Sequence, residues 1–191
     1  MVPDPLNRDC FLPPKLVDHE RKARGMDGAR QNGGMSRVQR IHLGVGQDYF
    51  RFCDSRRFAE NPQRAASGGW WADYEVFLKV KQAARRQGTI QDYANKAGVS
   101  RLSYAAKLYF ALPFEWGDCG ALVIARLSSR IDAFKGLGLP AYLDRADPRD
   151  GGAKYVPIQD RTIAQLYIPE LDHHFDKAFN VVWMGSAAAY A

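Results

Sequence analysis

The chain has 191 residues, a net charge of +6 and 46% hydrophobic residues, enough for one domain with a sizeable core. No apolar run approaches the roughly 20 residues needed to cross a bilayer, and three widely spaced cysteines make neither a disulfide framework nor a paired metal knuckle. We therefore expect free thiols in a cytoplasmic protein, or in one delivered by a machinery that requires no classical signal peptide. The basic charge permits an anionic partner.

Residues 1–40 differ in composition from the remainder. Four prolines lie within the first 14 residues, and residues 20–40 are rich in arginine, glycine, asparagine and glutamine. Because little in this segment could be buried to offset the entropy of ordering it, the composition predicts a flexible basic arm or linker. A folded domain would then occupy residues 41–191. The arm carries six cations able to contact nucleic-acid phosphates: Arg21, Lys22, Arg24, Arg30, Arg37 and Arg40.

The first half of the domain alternates between strand and helix patterns. Residues 38–52 have a strand pattern interrupted at Gly44, and residues 73–87 place apolar side chains at helical spacing. Thr89 and Asp92 have the spacing of a capping box that opens a second helix. Ser100 is placed to cap a third, more apolar helix, which Pro113 ends.

Beyond residue 120 the pattern becomes predominantly strand-like. The continuous apolar run over 121–127 predicts a buried strand, and a few helical turns are expected over 170–178. The order of strand, helices and then several strands predicts an α+β fold, with a mixed or antiparallel sheet against two or three helices. The other strand candidates are 131–134, 155–158, 162–168 and 179–184.

The stretch 49–71 has the features of an anion pocket. Arg51 lies in the middle of an aromatic strand, and a basic loop then leads to the turn Ser67-Gly68-Gly69 and two tryptophans. An arginine held on a strand can bind a phosphate with two parallel hydrogen bonds. Glycines allow backbone N–H groups to approach the same anion closely.

Residues 89–108, TIQDYANKAGVSRLSYAAKL, resemble the helix-turn-helix of the lac-repressor-like regulators. The resemblance implies DNA binding, with Arg101, Leu102 and Ser103 facing base edges and Lys107 near phosphate. The same residues also suit an ordinary corner between two core helices. The apolar continuation of the second helix to residue 112 favours that alternative.

A second resemblance covers roughly residues 49–170. Arg51 followed by Asp54-Ser55-Arg56 is similar to the Arg-x-Asp-Ser-Arg of the ADP-ribosylating toxins of the cholera and pertussis type, with a spacing one residue longer. The Ser67-Gly68-Gly69 turn resembles that family's Ser-Gly-Gly. Residues 99–103 lie near its Ser-Thr-Ser strand without matching it strictly, and residues 121–127 are similar to the strand that follows.

This resemblance implies an ADP-ribosyltransferase-like fold, NAD as the cofactor, and transfer of ADP-ribose to a protein or nucleic-acid target. The expected NAD-binding residues are Arg51, Ser67, Gly68, Gly69, Trp70 and Ser103. The family's catalytic glutamate aligns with Gln159 or Gln165, so a carboxylate such as Glu75 would have to supply the negative charge. A protein that binds NAD without catalysis, a DNA-binding protein and a non-enzymatic interaction module remain alternatives. No metal site is expected, because the adjacent His173 and His174 would point to different faces of a helix.

Overall fold

The computed structural model describes residues 3–26, 31–86 and 88–190. The α-helices are α1 Lys15–Ala23, α2 Ser55–Glu60, α3 Pro62–Ala66, α4 Tyr74–Arg85, α5 Thr89–Ala97, α6 Arg101–Phe110 and α7 Phe175–Ala178. The strands are β1 Met35–His42, β2 Asp48–Cys53, β3 Trp70–Asp73, β4 Ala121–Leu127, β5 Asp132–Gly138, β6 Ala141–Tyr142, β7 Tyr155–Val156, β8 Ala164–Tyr167 and β9 Phe179–Ser186. Short 3₁₀ helices occupy Arg8–Phe11, Phe114–Trp116, Pro148–Asp150, Leu171–His173 and Ala187–Tyr190. Within these residues, no helix combines the length and apolar character needed to cross a bilayer.

The main sheet has seven strands in the order β1-β5-β8-β3-β2-β4-β9, and every neighbouring pair is antiparallel. The strands β6 and β7 form a separate two-stranded sheet. The prediction of an α+β fold with an antiparallel sheet is confirmed. The helices are more numerous than the two or three expected, because short helices also form in segments that we had predicted as arm and loop.

Both faces of the central strands are buried, which explains the continuous apolar run in β4. Leu122 and Ile124 face a layer formed by α4 and α6, whereas Val123 and Ala125 face a second layer that includes α7. A strand covered on both sides has no solvent-facing positions, so its sequence does not alternate. The second layer contains Trp71 stacked on Phe179, with ring centroids 5.1 Å apart and planes 3° apart.

The sheet divides at the junction of β2 and β3. These strands pair at only two positions, Tyr49 with Asp73 and Phe50 with Ala72. The first two residues of β3, Trp70 and Trp71, pair with β8 instead, while β2 continues along β4 to Cys53. The sheet therefore opens into a fork on either side of this junction.

The prediction of a flexible arm over residues 1–40 does not match the structure. Strand β1 pairs with β5 along most of its length. Phe11 and Ala23 are buried in a cluster with Met35 and Phe134, because several of the few apolar residues of this segment pack against the edge of the sheet. Two of the predicted phosphate-binding cations have internal partners: Arg24 binds Glu20 and Arg40 binds Asp132. Arg30 lies outside the described residues.

The helix boundaries test the capping predictions. Ser100 caps α6 as expected, accepting a hydrogen bond from the Ser103 N–H at 3.0 Å. The capping box at Thr89 is wrong, because Gly88 is the N-cap of α5 and no side chain caps it. The predicted end of the preceding helix at residue 87 lies outside the described residues.

Candidate functional site

A cleft of about 930 Å³ opens at the fork between β2 and β3. Its size is within the range usual for cofactor sites. Strand β2 and helices α2 and α3 form one wall, while β3, β8 and the end of α6 form the other. The side chains relevant to binding are Lys22, Arg51, Phe52, Asp54, Arg57, Glu60, Arg64, Trp70, Phe110, Trp116, Gln165 and Tyr167.

Arg51 crosses the fork from β2 toward β3. Its Nη1 donates to the Trp70 carbonyl at 3.4 Å, and its Nε lies 3.2 Å from the Cys53 sulfur. The nearby acids Asp48 and Asp54 are engaged with other groups, and Arg51 makes no ion pair within the described part of the chain. A half-buried guanidinium without a counter-ion favours the binding of an anion.

Gly68 is in contact with this guanidinium. A Cβ built at position 68 would overlap the Arg51 terminal nitrogens and Cζ. Absence of a side chain therefore allows Arg51 to lie flat against the turn that leads into β3. The structure therefore brings two of the predicted pocket residues together, through a contact between the Arg51 side chain and the Gly68 backbone.

Asp54 and Ser55, which carry part of the toxin-like motif, have structural partners. Asp54 Oδ1 caps α2 by accepting from the N–H groups of Arg56 and Arg57 at 3.1 Å. The Ser55 N–H and hydroxyl both donate to Asp118, at 2.8 and 2.5 Å. These bonds fasten the start of α2 to the loop before β4, so the motif positions the cleft wall.

Asp118 is kept ionised by this network. Burial raises the pKa of its carboxyl group, but hydrogen bonds from Ser55 and Gly120 outweigh that effect and lower the pKa below its usual value. A carboxylate that accepts several N–H and O–H bonds is stabilised in its charged form.

Three further cations line the same cleft as Arg51. Arg57 and Arg64 extend from α2 and α3, and Lys22 extends from α1. None of the three makes an ion pair among residues 3–26, 31–86 and 88–190. Since Asp54 is occupied by capping, Glu60 is the cleft carboxylate that has no hydrogen bond to a described residue.

Aromatic rings contribute apolar surface to the cleft. Trp70 is 38% exposed and its ring centroid lies 5.3 Å from that of Tyr167. Phe52, Phe110 and Trp116 add further ring surface. Such rings can stack on a planar base, so cations and aromatic surfaces occur together in one cavity.

Gln165 reaches the cleft from β8. Its side chain is largely buried, and its amide nitrogen lies 3.5 Å from the Phe110 carbonyl, at the limit of a hydrogen bond. A Cβ at Gly138 on β5 would approach the Gln165 amide nitrogen to 2.5 Å, so this glycine makes room for the side chain. Of the two glutamines predicted at the position of the catalytic glutamate, Gln165 is the one in the cleft.

Five predicted site residues do not line the cleft. The Ser103 hydroxyl is buried against Ser100, because Ser103 lies on the inner face of α6. Gln159 is exposed, and its N–H binds the Leu108 carbonyl. Glu75 is exposed on α4. Ser67 and Gly69 belong to the predicted turn beside the cleft but contact Arg64 and Ile168, respectively.

The helix pair predicted from the lac-repressor resemblance is present, but its orientation excludes three of the four predicted contacts; Arg101 is partly exposed. Gly98 takes the left-handed conformation between α5 and α6. Leu102, Ser103 and Lys107 are 0%, 1% and 2% exposed because α6 packs against the sheet. These three residues cannot contact DNA in this fold, so the prediction that they do is wrong.

Sequence reasoning missed Lys22, Arg57, Glu60 and Arg64 as cleft residues. Three of them lie in the segment 55–66, which we predicted as a basic loop without assigning individual roles. The asparagine-proline pair at positions 61 and 62 was the available signal, since Asn61 caps α3 by accepting from the Arg64 N–H.

Comparisons with known proteins give limited similarity. No model of a protein family matches the chain, and no curated protein gives a significant match. Among solved structures, Tne2 in complex with Tni2 is 11% identical, covers 78% of this chain and 92% of its own, and has a TM-score of 0.41. Rhs1-CT in complex with its cognate immunity protein RhsI1 is also 11% identical, covers 88% and 93%, and has a TM-score of 0.43. Similarity at this level assigns no activity, ligand or partner.

Proposed function

We propose that the protein binds NAD in the cleft at the fork and acts as an ADP-ribosyltransferase-like protein. The observation that carries the proposal is the position of Arg51. It lies between two diverging strands without a carboxylate partner in the described chain, in contact with Gly68 and surrounded by aromatic rings.

The charges of the cleft match those of a dinucleotide. The pyrophosphate of NAD carries two negative charges, and Arg51 can bind it through two parallel hydrogen bonds. Arg57, Arg64 and Lys22 add positive charge at the same cavity. The rings of Trp70 and Tyr167 line the same cavity, where a nicotinamide or adenine ring could stack.

Cleavage of the nicotinamide–ribose bond requires a further group. Positive charge develops on the ribose as this bond breaks, and a carboxylate stabilises that charge. Gln165 can hold a ribose hydroxyl through its amide but provides no charge. We therefore assign the carboxylate role to Glu60, which lines the cleft and has no other partner among the described residues.

Binding is tested by calorimetry with NAD. The wild-type protein should bind saturably, and Arg51→Ala should weaken binding by roughly 10- to 100-fold, the effect of losing a charge-assisted hydrogen bond. Arg56→Ala is a matched control, because Arg56 is exposed on α2 and does not line the cleft. Equal affinities for wild type and a folded Arg51→Ala variant, or no binding by wild type, would refute the proposal.

The reaction is tested separately by measuring nicotinamide release. The wild-type protein should release nicotinamide from NAD. The Glu60→Gln variant should bind NAD with nearly unchanged affinity but release nicotinamide much more slowly. Saturable NAD binding without any release would instead identify a binding protein that lacks the reaction.

A toxin role and a macromolecular ADP-ribose acceptor form a further part of this proposal. Expression inside bacterial cells should slow growth and transfer label from NAD to a cellular protein or nucleic acid. Arg51→Ala should strongly reduce both effects. Growth arrest as strong as that caused by wild type would show that toxicity does not depend on Arg51.

A further inference from the structure

Three potential metal ligands meet where the N-terminal segment packs near the end of β8. Cys10 lies in the first 3₁₀ helix, His19 lies on α1, and Glu170 follows β8. One ligand atom of each lies within 4.8 Å of the others. The His19 Nε2 and Glu170 Oε1 are 3.6 Å apart.

Two of these groups are buried, and both interact with the Glu170 carboxylate. Cys10 is 1% exposed and His19 is 9% exposed. The His19 Nε2 faces Glu170, whereas the other ring nitrogen, Nδ1, is a buried side-chain atom for which no described residue provides a hydrogen bond. A buried imidazole nitrogen without a partner is rare, because burial removes its hydrogen bond with water and nothing replaces that bond.

We propose that Cys10, His19 and Glu170 bind a divalent transition-metal ion, with Zn²⁺ the best match. Thiolate, imidazole and carboxylate are the three side-chain ligand types of protein zinc sites. Two ligand atoms about 2.1 Å from a tetrahedral ion lie about 3.4 Å from each other. The His19–Glu170 separation of 3.6 Å is already close to that value, and the other ligand atoms, which lie within 4.8 Å of one another, would move closer together on binding. Glu170 is partly exposed, which leaves the fourth position to water.

Lys15 is the competing cation. Its Nζ lies 2.8 Å from Glu170 Oε1, and its side chain is 51% exposed. An exposed ammonium on a flexible stem can move into solvent when an ion takes its place. On binding, the Cys10 thiol loses its proton to solvent and the thiolate becomes the ligand.

The ion would cross-link segments that are far apart in sequence. It would hold α1 against the turn after β8, and α1 also carries Lys22, one turn beyond His19, into the cleft. The proposed role is therefore structural: the ion fixes the helix that forms part of the cleft wall.

The first experiment is titration of the apo protein with Co²⁺ and with Zn²⁺. One Co²⁺ per chain should bind and give the absorption of a thiolate ligand, which Cys10→Ser should lose. Cys10→Ser and His19→Ala should each weaken Zn²⁺ binding by roughly 100-fold. Loss of a residue that only orients a metal ligand already costs about 10- to 100-fold, and loss of the ligand itself should cost at least as much. Cys119→Ser is the matched control, since Cys119 is a buried free cysteine outside the cluster.

The second variant is Lys15→Met, which removes the competing ammonium and leaves all three ligands. It should bind Zn²⁺ more tightly than wild type and show a larger rise in Tm on metal addition. Failure of wild type to bind either ion, even if Lys15→Met binds, would show that Lys15 is the cation of this cluster and would overturn the proposal. Unchanged binding in folded Cys10→Ser and His19→Ala would also overturn it.

Discussion

The guanidinium of Arg51 lies directly against the backbone of Gly68, at a distance that leaves no room for a Cβ. The two residues belong to different walls of the fork, since Arg51 is on β2 and Gly68 leads into β3. This contact fixes where the positive charge is presented, and it makes a glycine necessary at position 68.

Gly68→Ala should therefore disturb Arg51. We expect the methyl group to displace the guanidinium and to weaken NAD binding by about 1–3 kcal/mol, comparable with loss of a charged hydrogen bond. Calorimetry on the two single variants and the double variant checks this. Because both changes act on one group, the double variant should be no weaker than Arg51→Ala alone. Additive losses would contradict the mechanism.

Trp70→Ala tests base stacking. Truncation should weaken NAD binding by about 1–3 kcal/mol, whereas Trp70→Phe should retain most of the affinity because a ring remains. Trp70 lines the cleft, so NAD should also quench tryptophan fluorescence in the wild type more strongly than in either variant. Tyr142→Ala is the control, since Tyr142 is exposed and lies outside the cleft. If Tyr142→Ala weakened NAD binding as much as Trp70→Ala, the loss of affinity could not be attributed to stacking on Trp70.

Asp132→Ala tests the attachment of β1. Asp132 is fully buried and accepts hydrogen bonds from Arg40 Nε at 2.8 Å and from His42 Nδ1 at 2.5 Å. Arg40 and His42 are exposed enough to regain water when the carboxylate is removed. We therefore expect a loss of about 1.5–3 kcal/mol, the range for hydrogen bonds to a charged group. Urea unfolding measures the change. The exposed Asp176→Ala should stay within about 0.5 kcal/mol of wild type.

Asp118 should make the free energy of unfolding depend on pH in the acid range. Its folded pKa is below the unfolded value of about 3.9, so its contribution to stability is present above that pH. The contribution is lost as the pH falls through the folded pKa. The difference in unfolding free energy between wild type and Asp118→Asn should thus be larger at about pH 6 than at about pH 3. A constant difference across this range would show that the charge of Asp118 does not contribute.

Local sequence signals predicted the elements whose structure depends mainly on neighbouring residues in the sequence. The apolar run of β4, the serine cap of α6 and the position of Arg51 within β2 were all predictable in this way. The arm was not, because its few apolar residues find partners such as Phe134 more than a hundred positions away. Which side of α6 is buried also depends on the sheet, and so the resemblance to a DNA-binding helix was misleading.

The site was predictable only in part for a similar reason. Gln159 and Gln165 are indistinguishable until the pairing of β5 with β8 fixes the register and brings Gly138 beside Gln165. The cluster of Cys10, His19 and Glu170 combines residues from both ends of the chain, so no spacing motif indicates it.

The early separation of β2 from β3 creates an edge within the interior of the sheet. On the side facing β3, the backbone of residues 51–53 has no neighbouring strand in the described structure. Peptide N–H and C=O groups on such an edge are available to any amide or hydroxyl that enters the cleft. Side-chain substitution leaves these backbone groups in place, so part of the recognition should survive a variant such as Arg51→Ala. Proline at this edge would remove an N–H donor and leave the carbonyl acceptors.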